Sequence, residues 1–387
     1  MNALPAHGHR FVAPAVPASA HREDAIQQVD AHQAPPRQHA IDLLRLVAAL
    51  AVVLYHVAYR GYHAEHASPV DYPALGRVFK YGYLGVEVFF VISGYVVLLS
   101  AQGKTVRQFF VSRVARLYPA YWVACTLTFG VVRLWAPPVE PGVWSALKYA
   151  TVSDYAYNLT MLQSFFGRPN LDGVYWTLGC EISFYLLIAL LIGFGWMQRH
   201  LVPFLWGWLG YCALVGPSEV PQPLVQLLIP RYAPFFMAGM VFFLIQTRQA
   251  ASWKGYLLLL ATYAESLRAG RAISADMEPF FHEAFSLPVT WTVLTGGFVF
   301  FLLLSHGWLR LRPARWLAWA GALSYPIYLL HHNLGFVVLQ RLGSQVNKYV
   351  LLAGLLGALL VAAYGLHVLV ERRYSSKLRQ QLLAWLE

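Results

Sequence analysis

The sequence predicts an all-α fold, a polytopic membrane helical bundle of about ten transmembrane helices with both termini on the cytoplasmic side. Three observations carry this. Of 387 residues, 58% are hydrophobic and only 12% charged, about half the ~25% charge content of soluble domains. The apolar residues cluster into ten segments of a length suited to crossing a bilayer, which takes ~20 residues per helix. Backbone in hydrocarbon must satisfy its own hydrogen bonds, so apolar runs of this length read as helices. Intrinsic disorder, a disulfide scaffold and a soluble enzyme are excluded by the same figures.

Residues 1–40 precede the first apolar run. This stretch is rich in Ala, Pro and His, lacks an apolar core, and is expected to be a disordered cytoplasmic tail. The apolar run begins only near Ile41, which argues against a secretory signal peptide. His7, His9, His21, His32 and His39 lie at irregular spacing without acidic or cysteine partners, so no metal site is expected there. The ten segments then run over approximately 41–60, 81–101, 117–135, 173–194, 200–215, 231–247, 251–266, 287–305, 316–340 and 348–371. Residues 41–380 form the membrane domain, and 381–387 a short cytoplasmic end. The 136–172 connection is long for a bundle and carries Trp144, Tyr149, Tyr155 and Tyr157, which suits the outer interface.

Charge fixes the expected orientation. With the N-terminus inside, cytoplasmic loops collect 17 of the 29 Lys and Arg and outer loops 11, with Arg45 left within the first helix. The net charge of +11 is therefore positive-inside topology beside anionic membrane lipids, and no nucleic-acid partner is expected. Cys125, Cys180 and Cys212 fall in apolar runs, an odd count with neither a disulfide nor a zinc pattern.

Ionisable groups inside spanning helices are functional candidates by default. Arg45 and His56 are eleven residues apart, within ~20° of alignment on a helix and ~16 Å apart along it. Glu87 opens the second segment, where Ser93-Gly94 predicts a close helix crossing. Arg113 and Arg116 share a helix face before the third segment, and their guanidinium forks suit phosphate oxygens. Pro119 is expected to bend or start that helix. Thr177, Glu181 and Tyr185 recur at i, i+4, i+8 on the fourth segment, and Ser324, Tyr328 and His331 at i, i+4, i+7 on the ninth. No Gly-rich phosphate loop, GxSxG elbow, HExxH or di-metal pattern occurs.

These runs, in this order, resemble the acyltransferase family 3, bacterial integral-membrane O-acyltransferases acting on surface polysaccharides and related acceptors. The resemblance rests on Ile41-Asp42-Leu43-Leu44-Arg45 through Tyr55-His56, and on Gly85-Val86-Glu87 with Phe90 and Ser93-Gly94. It continues through Arg113-x-x-Arg116 with Tyr118-Pro119, Trp176-Thr177-Leu178 with Glu181 and Phe184-Tyr185, and Ser324-Tyr325 with Tyr328-Leu329 and His331, to Glu371-Arg372. It covers residues 41 to about 380. The resemblance implies that His56 is the catalytic histidine, that Arg45, Arg113 and Arg116 engage an acyl-CoA donor from the cytoplasm, and that Glu181 is the family's acidic position. It leaves His331 and His332 as rival candidates for the cavity. The hydrolase-like C-terminal domain of some relatives does not follow residue 380, so a second transfer step is expected to need another envelope-biosynthesis protein.

The expected function is transfer of acetyl from cytoplasmic acetyl-CoA to a hydroxyl of a surface or exported saccharide, free or lipid-linked, in the bacterial inner membrane. No bound cofactor and no metal are expected; acetyl-CoA is a substrate. His56 acts as general base, and Glu181 or Glu87 either orients it or neutralises an arginine. Glu87, Ser93, Tyr325 and His331 join the arginines as substrate-binding candidates. The alternative is a transporter or flippase for a lipid-linked sugar, in which the same groups line a permeation path.

Overall fold

The computed structural model describes residues 38–64, 67–139, 144–215, 224–250 and 252–386, and from His39 onward every regular element in them is helical. In chain order the helices are α1 (His39–His63), α2 (Pro73–Phe79), α3 (Gly85–Ala101), α4 (Val106–Trp135), α5 (Val152–Leu159), α6 (Trp176–Gly193) and α7 (Leu201–Val215). They continue with α8 (Ala233–Gln246), α9 (Trp253–Phe281), α10 (Leu287–Ser305), α11 (Arg315–Leu330), α12 (His332–Leu342) and α13 (Lys348–Trp385). No strand occurs among the described residues.

Among the described residues, six stretches are long and apolar enough to cross a membrane: His39–His63, Gly82–Ala101, Trp176–Gly193, Leu224–Gln246, Leu287–Ser305 and Lys348–Trp385. The other expected segments are helical too, but differ in kind. α7 has only 15 residues, α4 and α9 carry several charges along their length, and the 316–340 segment is divided at His331 into α11 and α12. The tail expected over residues 1–40 lies outside the described residues except for its last three positions, and helix α1 already begins at His39, where His39 and Asp42 sit 3.6 Å apart. At the other end α13 runs on through Trp385, so the stretch 381–385 is helical.

Helix α4 departs from expectation at its start. Thr105 and Gln108 form a reciprocal capping box, which satisfies two otherwise orphaned groups, and the helix begins at Val106 rather than near residue 117. Arg113, Arg116 and Pro119 therefore lie within it, and Pro119 neither starts nor ends it.

The bundle centres on α8, buried from Ala233 to Ile245. It crosses α3 at Gly94 and Gly239. A Cβ on Gly94 would collide with the Phe236 carbonyl, and one on Gly239 with the Val91 carbonyl, so both glycines are required for backbones this close. The expected crossing at Ser93-Gly94 is present. Around it Phe236 stacks on Phe90 at 4.6 Å and packs on Phe184 at 4.5 Å between ring centroids.

The 136–172 connection folds back onto the bundle in its described parts. Tyr121 and Trp122 of α4 donate to the carbonyls of Asn158 (2.7 Å) and Leu159 (3.0 Å). The Asn158 side chain donates to the Asp154 and Pro169 carbonyls and accepts from the Leu171 N–H at 2.9 Å. With every side-chain polar group of Asn158 used, the run Leu171-Asp172-Gly173 is held against the helices. Trp144, from the same connection, packs on the rings of His332 and Phe336.

Candidate active site

Two polar clusters share the faces of α1, α6 and α11. Helix α1 carries Arg45 in one and His56 in the other. Its path is α-helical without a break from His39 to Tyr55, so the alignment expected for these residues survives, with ~16 Å between them along the axis. From His56 the helix continues as a π turn, His56–Arg60, a form frequent at functional sites.

The His56 ring is anchored by its Nδ1, 2.8 Å from the Val52 carbonyl. A carbonyl only accepts, so Nδ1 carries the hydrogen and Nε2 the lone pair. His331 Nδ1 likewise donates to the Tyr328 carbonyl at 2.9 Å, and its Nε2 lies 3.2 Å from His56 Nδ1 as a second acceptor for that same hydrogen. The ring of His332 meets His56 edge-on at 4.6 Å between centroids. Its Nδ1 sits 2.7 Å from Asn333 Oδ1 and 3.5 Å from Asp172 Oδ1. Both histidines left as rivals by the sequence thus flank His56. His331 shares its hydrogen bond, while His332 links it to a buried carboxylate. All three rings are buried.

The second cluster is built on guanidinium groups. Arg113 lies over the rings of Phe109 and Tyr185, each at 5.7 Å, and Arg116 lies 5.9 Å from the Tyr325 ring centroid. Arg116 also faces Glu371 at 3.9 Å, whose other oxygen is 2.5 Å from His367 Nδ1. Half-buried Arg45 is within electrostatic reach of Arg116, Asp42, Glu181 and Tyr185. Glu181 accepts from Ser93 (2.9 Å) and from Tyr185 (2.6 Å). Neither Arg45 nor Arg113 donates to a carboxylate among the described residues, so their forks remain available to an anionic ligand. Such groups bind phosphate through paired N–H donors.

The polar stripes explain how the clusters are joined. On α6, Thr177 meets the histidine end, with its hydroxyl 2.8 Å from Tyr328 OH; Glu181 and Tyr185 meet the arginines one and two turns later. On α11, Tyr325 stands under Arg116, donating to the Leu117 carbonyl at 3.1 Å, while Tyr328 and His331 reach the histidine end. Helix α6 therefore runs opposite to α1 and α11.

Two expectations need correction. Glu181 does not orient His56: its oxygens are committed to Ser93 and Tyr185 at the arginine cluster, because four residues on an antiparallel helix carry it back along the bundle. Glu87 joins neither cluster. It is buried among Val88, Val91, Phe235, Leu294, Gly297, Phe298 and Phe301, on the side of α3 that faces α8 and α10. Ser324, the first member of the ninth-segment stripe, is buried and bonds back to the Gly321 carbonyl of its own helix at 2.8 Å, as a hydroxyl in a helix commonly does.

Asp172, His332 and Asn333 were not identified as a unit from sequence. Asp172-Gly173 reads as a turn dipeptide, and Asn333 as one polar residue beside a histidine pair. Only the folding back of the 136–172 connection puts them together.

The fold is a helical bundle with membrane-spanning stretches, and it carries a cationic cluster and a histidine cluster on shared helices. A family model described as an acyltransferase domain matches residues 38–368, and the chain belongs to that family, the acyltransferase family 3. Among curated relatives, Acyltransferase MdmB of Streptomyces mycarofaciens is 33% identical over 154 residues, 38% of this chain and 37% of the relative. The peptidoglycan O-acetyltransferase OatA of Listeria monocytogenes is 28% identical over 178 residues, 41% of this chain and 25% of the relative. A putative membrane-bound transacylase, BcsY of Komagataeibacter xylinus, is 26% identical over 361 residues, 87% of this chain and 82% of the relative. The matched stretch thus spans about a third and a quarter of the first two relatives. No solved structure matches the chain.

Proposed function

We propose that this acyltransferase moves an acyl group, acetyl in the first instance, from acyl-CoA to a hydroxyl of a surface or exported saccharide. The observation that carries the reading is the 2.8 Å approach of His56 Nδ1 to the Val52 carbonyl, from which the tautomer of His56 follows. With Nδ1–H held by the Val52 carbonyl, the Nε2 lone pair is left to take a proton.

In the proposed step the acceptor O–H gives its proton to His56 Nε2 as its oxygen attacks the thioester carbonyl carbon. The tetrahedral intermediate collapses with breakage of the C–S bond, the ester forms, and the coenzyme A thiolate leaves and is protonated, returning the imidazole to its neutral state. Arg45, Arg113 and Arg116 hold the donor's phosphates, and the ~16 Å between Arg45 and His56 accommodates a pantetheine arm. Tyr325 and Tyr185 set the arginine planes by stacking.

The topology belongs to the same proposal: ten crossings, both termini inside, in the bacterial inner membrane. The arginine cluster then faces the cytoplasm, where acyl-CoA is made, and the histidines lie toward the outer half. The acceptor class is supported by the name of one relative, a peptidoglycan O-acetyltransferase. Membranes holding the protein, given acetyl-CoA labelled in the acetyl group, are expected to build up alkali-labile label on glycan. His56→Ala is expected to abolish that label while the protein remains inserted. Full labelling by His56→Ala overturns the reading.

A further inference from the structure

We propose that Asp172 is a positioning residue for acyl transfer, acting on His56 through His332. The inference rests on the general-base role given to His56 above. Its observations lie in the clamp that the loop Leu171-Asp172-Gly173 forms on the start of α12.

Asp172 is fully buried. Its Oδ2 accepts from the Asn333 N–H at 3.0 Å, and its Oδ1 accepts from the Val174 N–H at 3.1 Å while standing 3.5 Å from His332 Nδ1. Asn333 is held in turn: its Nδ2 donates to the Leu171 carbonyl at 2.7 Å, which aims its Oδ1 at His332 Nδ1. Two acceptors therefore face one ring nitrogen, and they fix His332 as the Nδ1–H tautomer. Gly173 makes the grip possible, since a Cβ there would overlap the His332 ring.

A buried carboxylate is costly to ionise unless it is bonded and serves a neighbouring charge. Arg60, in the π turn, adds positive charge near both His56 and His332, of the same sign as an imidazolium. When His56 takes the acceptor proton, positive charge appears on a ring in edge contact with His332. Asp172 lies directly behind His332 and offsets that charge at short range in a low-dielectric setting. Held rigid from behind, His332 also fixes the plane of His56, which keeps Nε2 aimed.

The competing role for Asp172 is structural. It caps α12 from outside, because His331 at the N-cap supplies no side-chain bond, so its loss would also weaken the start of that helix. A double-mutant cycle separates the two roles. Asp172→Asn keeps the size and one acceptor oxygen but removes the charge; His332→Gln removes the ring. Purified full-length protein is assayed for transfer from labelled acetyl-CoA, for coenzyme A binding and for its thermal midpoint.

The expected result is a fall in kcat of roughly 10- to 100-fold for Asp172→Asn, with KM for acetyl-CoA within about twofold. In the His332→Gln background the same change is expected to add less than about twofold. An Asp that directly orients a catalytic imidazole is worth ~10⁴-fold in the serine-protease triad, and the indirect arrangement here sets the smaller range. Three results overturn the inference: wild-type kcat in Asp172→Asn, losses that multiply fully in the double variant, or a loss of activity that follows a lowered thermal midpoint. In each case the His56→Ala result still stands or falls separately, so the two proposals fail distinguishably.

Discussion

The arginine end and the histidine end are built on the same three helices from opposite kinds of chemistry. At the arginine end, cations are set by aromatic faces and by a few carboxylates, and much of their donor capacity stays open. At the histidine end, each ring is tied at Nδ1 to a carbonyl or amide oxygen, and one buried carboxylate backs the array. Open donors on stiff side chains suit the holding of a polyanion. Rings fixed in one tautomer suit proton transfer. Under the proposed function this shared helix face would divide binding from chemistry along its length, so substitutions at the two ends should separate in KM and kcat.

The largest expected effect is at the histidine end. His56→Ala should lower kcat by ~10²- to 10⁴-fold, the usual worth of a positioned general base, with coenzyme A affinity unchanged in an equilibrium binding measurement. Next in size, Arg45→Ala and Arg113→Ala should each raise KM for acetyl-CoA by roughly 10- to 100-fold, since bonds to a charged partner are worth ~1.5–3 kcal/mol, while kcat changes far less. A kcat loss in these variants without a KM change would erase the division between the ends.

Glu181→Gln sharpens the comparison from the other side. Its carboxylate belongs with Ser93, Tyr185 and the arginines, so the expected change is a several-fold shift in KM for acetyl-CoA. A collapse of kcat to the level of His56→Ala would return Glu181 to the role of orienting the base. Gly94→Ala tests the scaffold both ends depend on. A methyl pressed on the Phe236 carbonyl is expected to cost ~1–3 kcal/mol, read as a lowered thermal midpoint in detergent with no selective change in KM.

The smallest effect lies outside both ends, on the connection between α9 and α10. Glu283 is held below the usual carboxylate range by its bond from Lys80 at 2.7 Å, and next by that from Tyr59. A depressed folded-state value means stability that is present above the unfolded value and lost as pH falls through the folded one. Glu283 is half exposed, so screening keeps the effect small. The midpoint difference between wild type and Glu283→Gln should be slight near neutrality and vanish in acid. A difference that grows in acid would reverse the sign.

The helical class and the approximate place of each apolar segment were legible because bilayer-length apolar runs leave little choice of structure. The alignment of Arg45 with His56 was legible because both sit on one uninterrupted helix. The stripe on α6 was legible as a stripe, but period alone does not say which cluster each turn will meet, so the sequence left Glu181 open between the imidazole and the arginines. Glu87 misled because a charge in an apolar run marks a buried position without naming its partner. The start of α4 was missed since Arg107, Arg113 and Arg116 mask its helical period, while the Thr105 and Gln108 cap was there to be read. Asp172 was out of reach: its meaning depends on Asn158 pinning a long connection, a contact between elements that no local pattern encodes.

Binding of coenzyme A to purified His56→Ala and Arg45→Ala, set beside their transfer rates, tests the division of labour most directly. The expected result is wild-type affinity with no transfer for His56→Ala, and weakened affinity with transfer restored at high acetyl-CoA for Arg45→Ala. Loss of coenzyme A binding in His56→Ala, or undiminished binding in Arg45→Ala together with lost transfer, would contradict it.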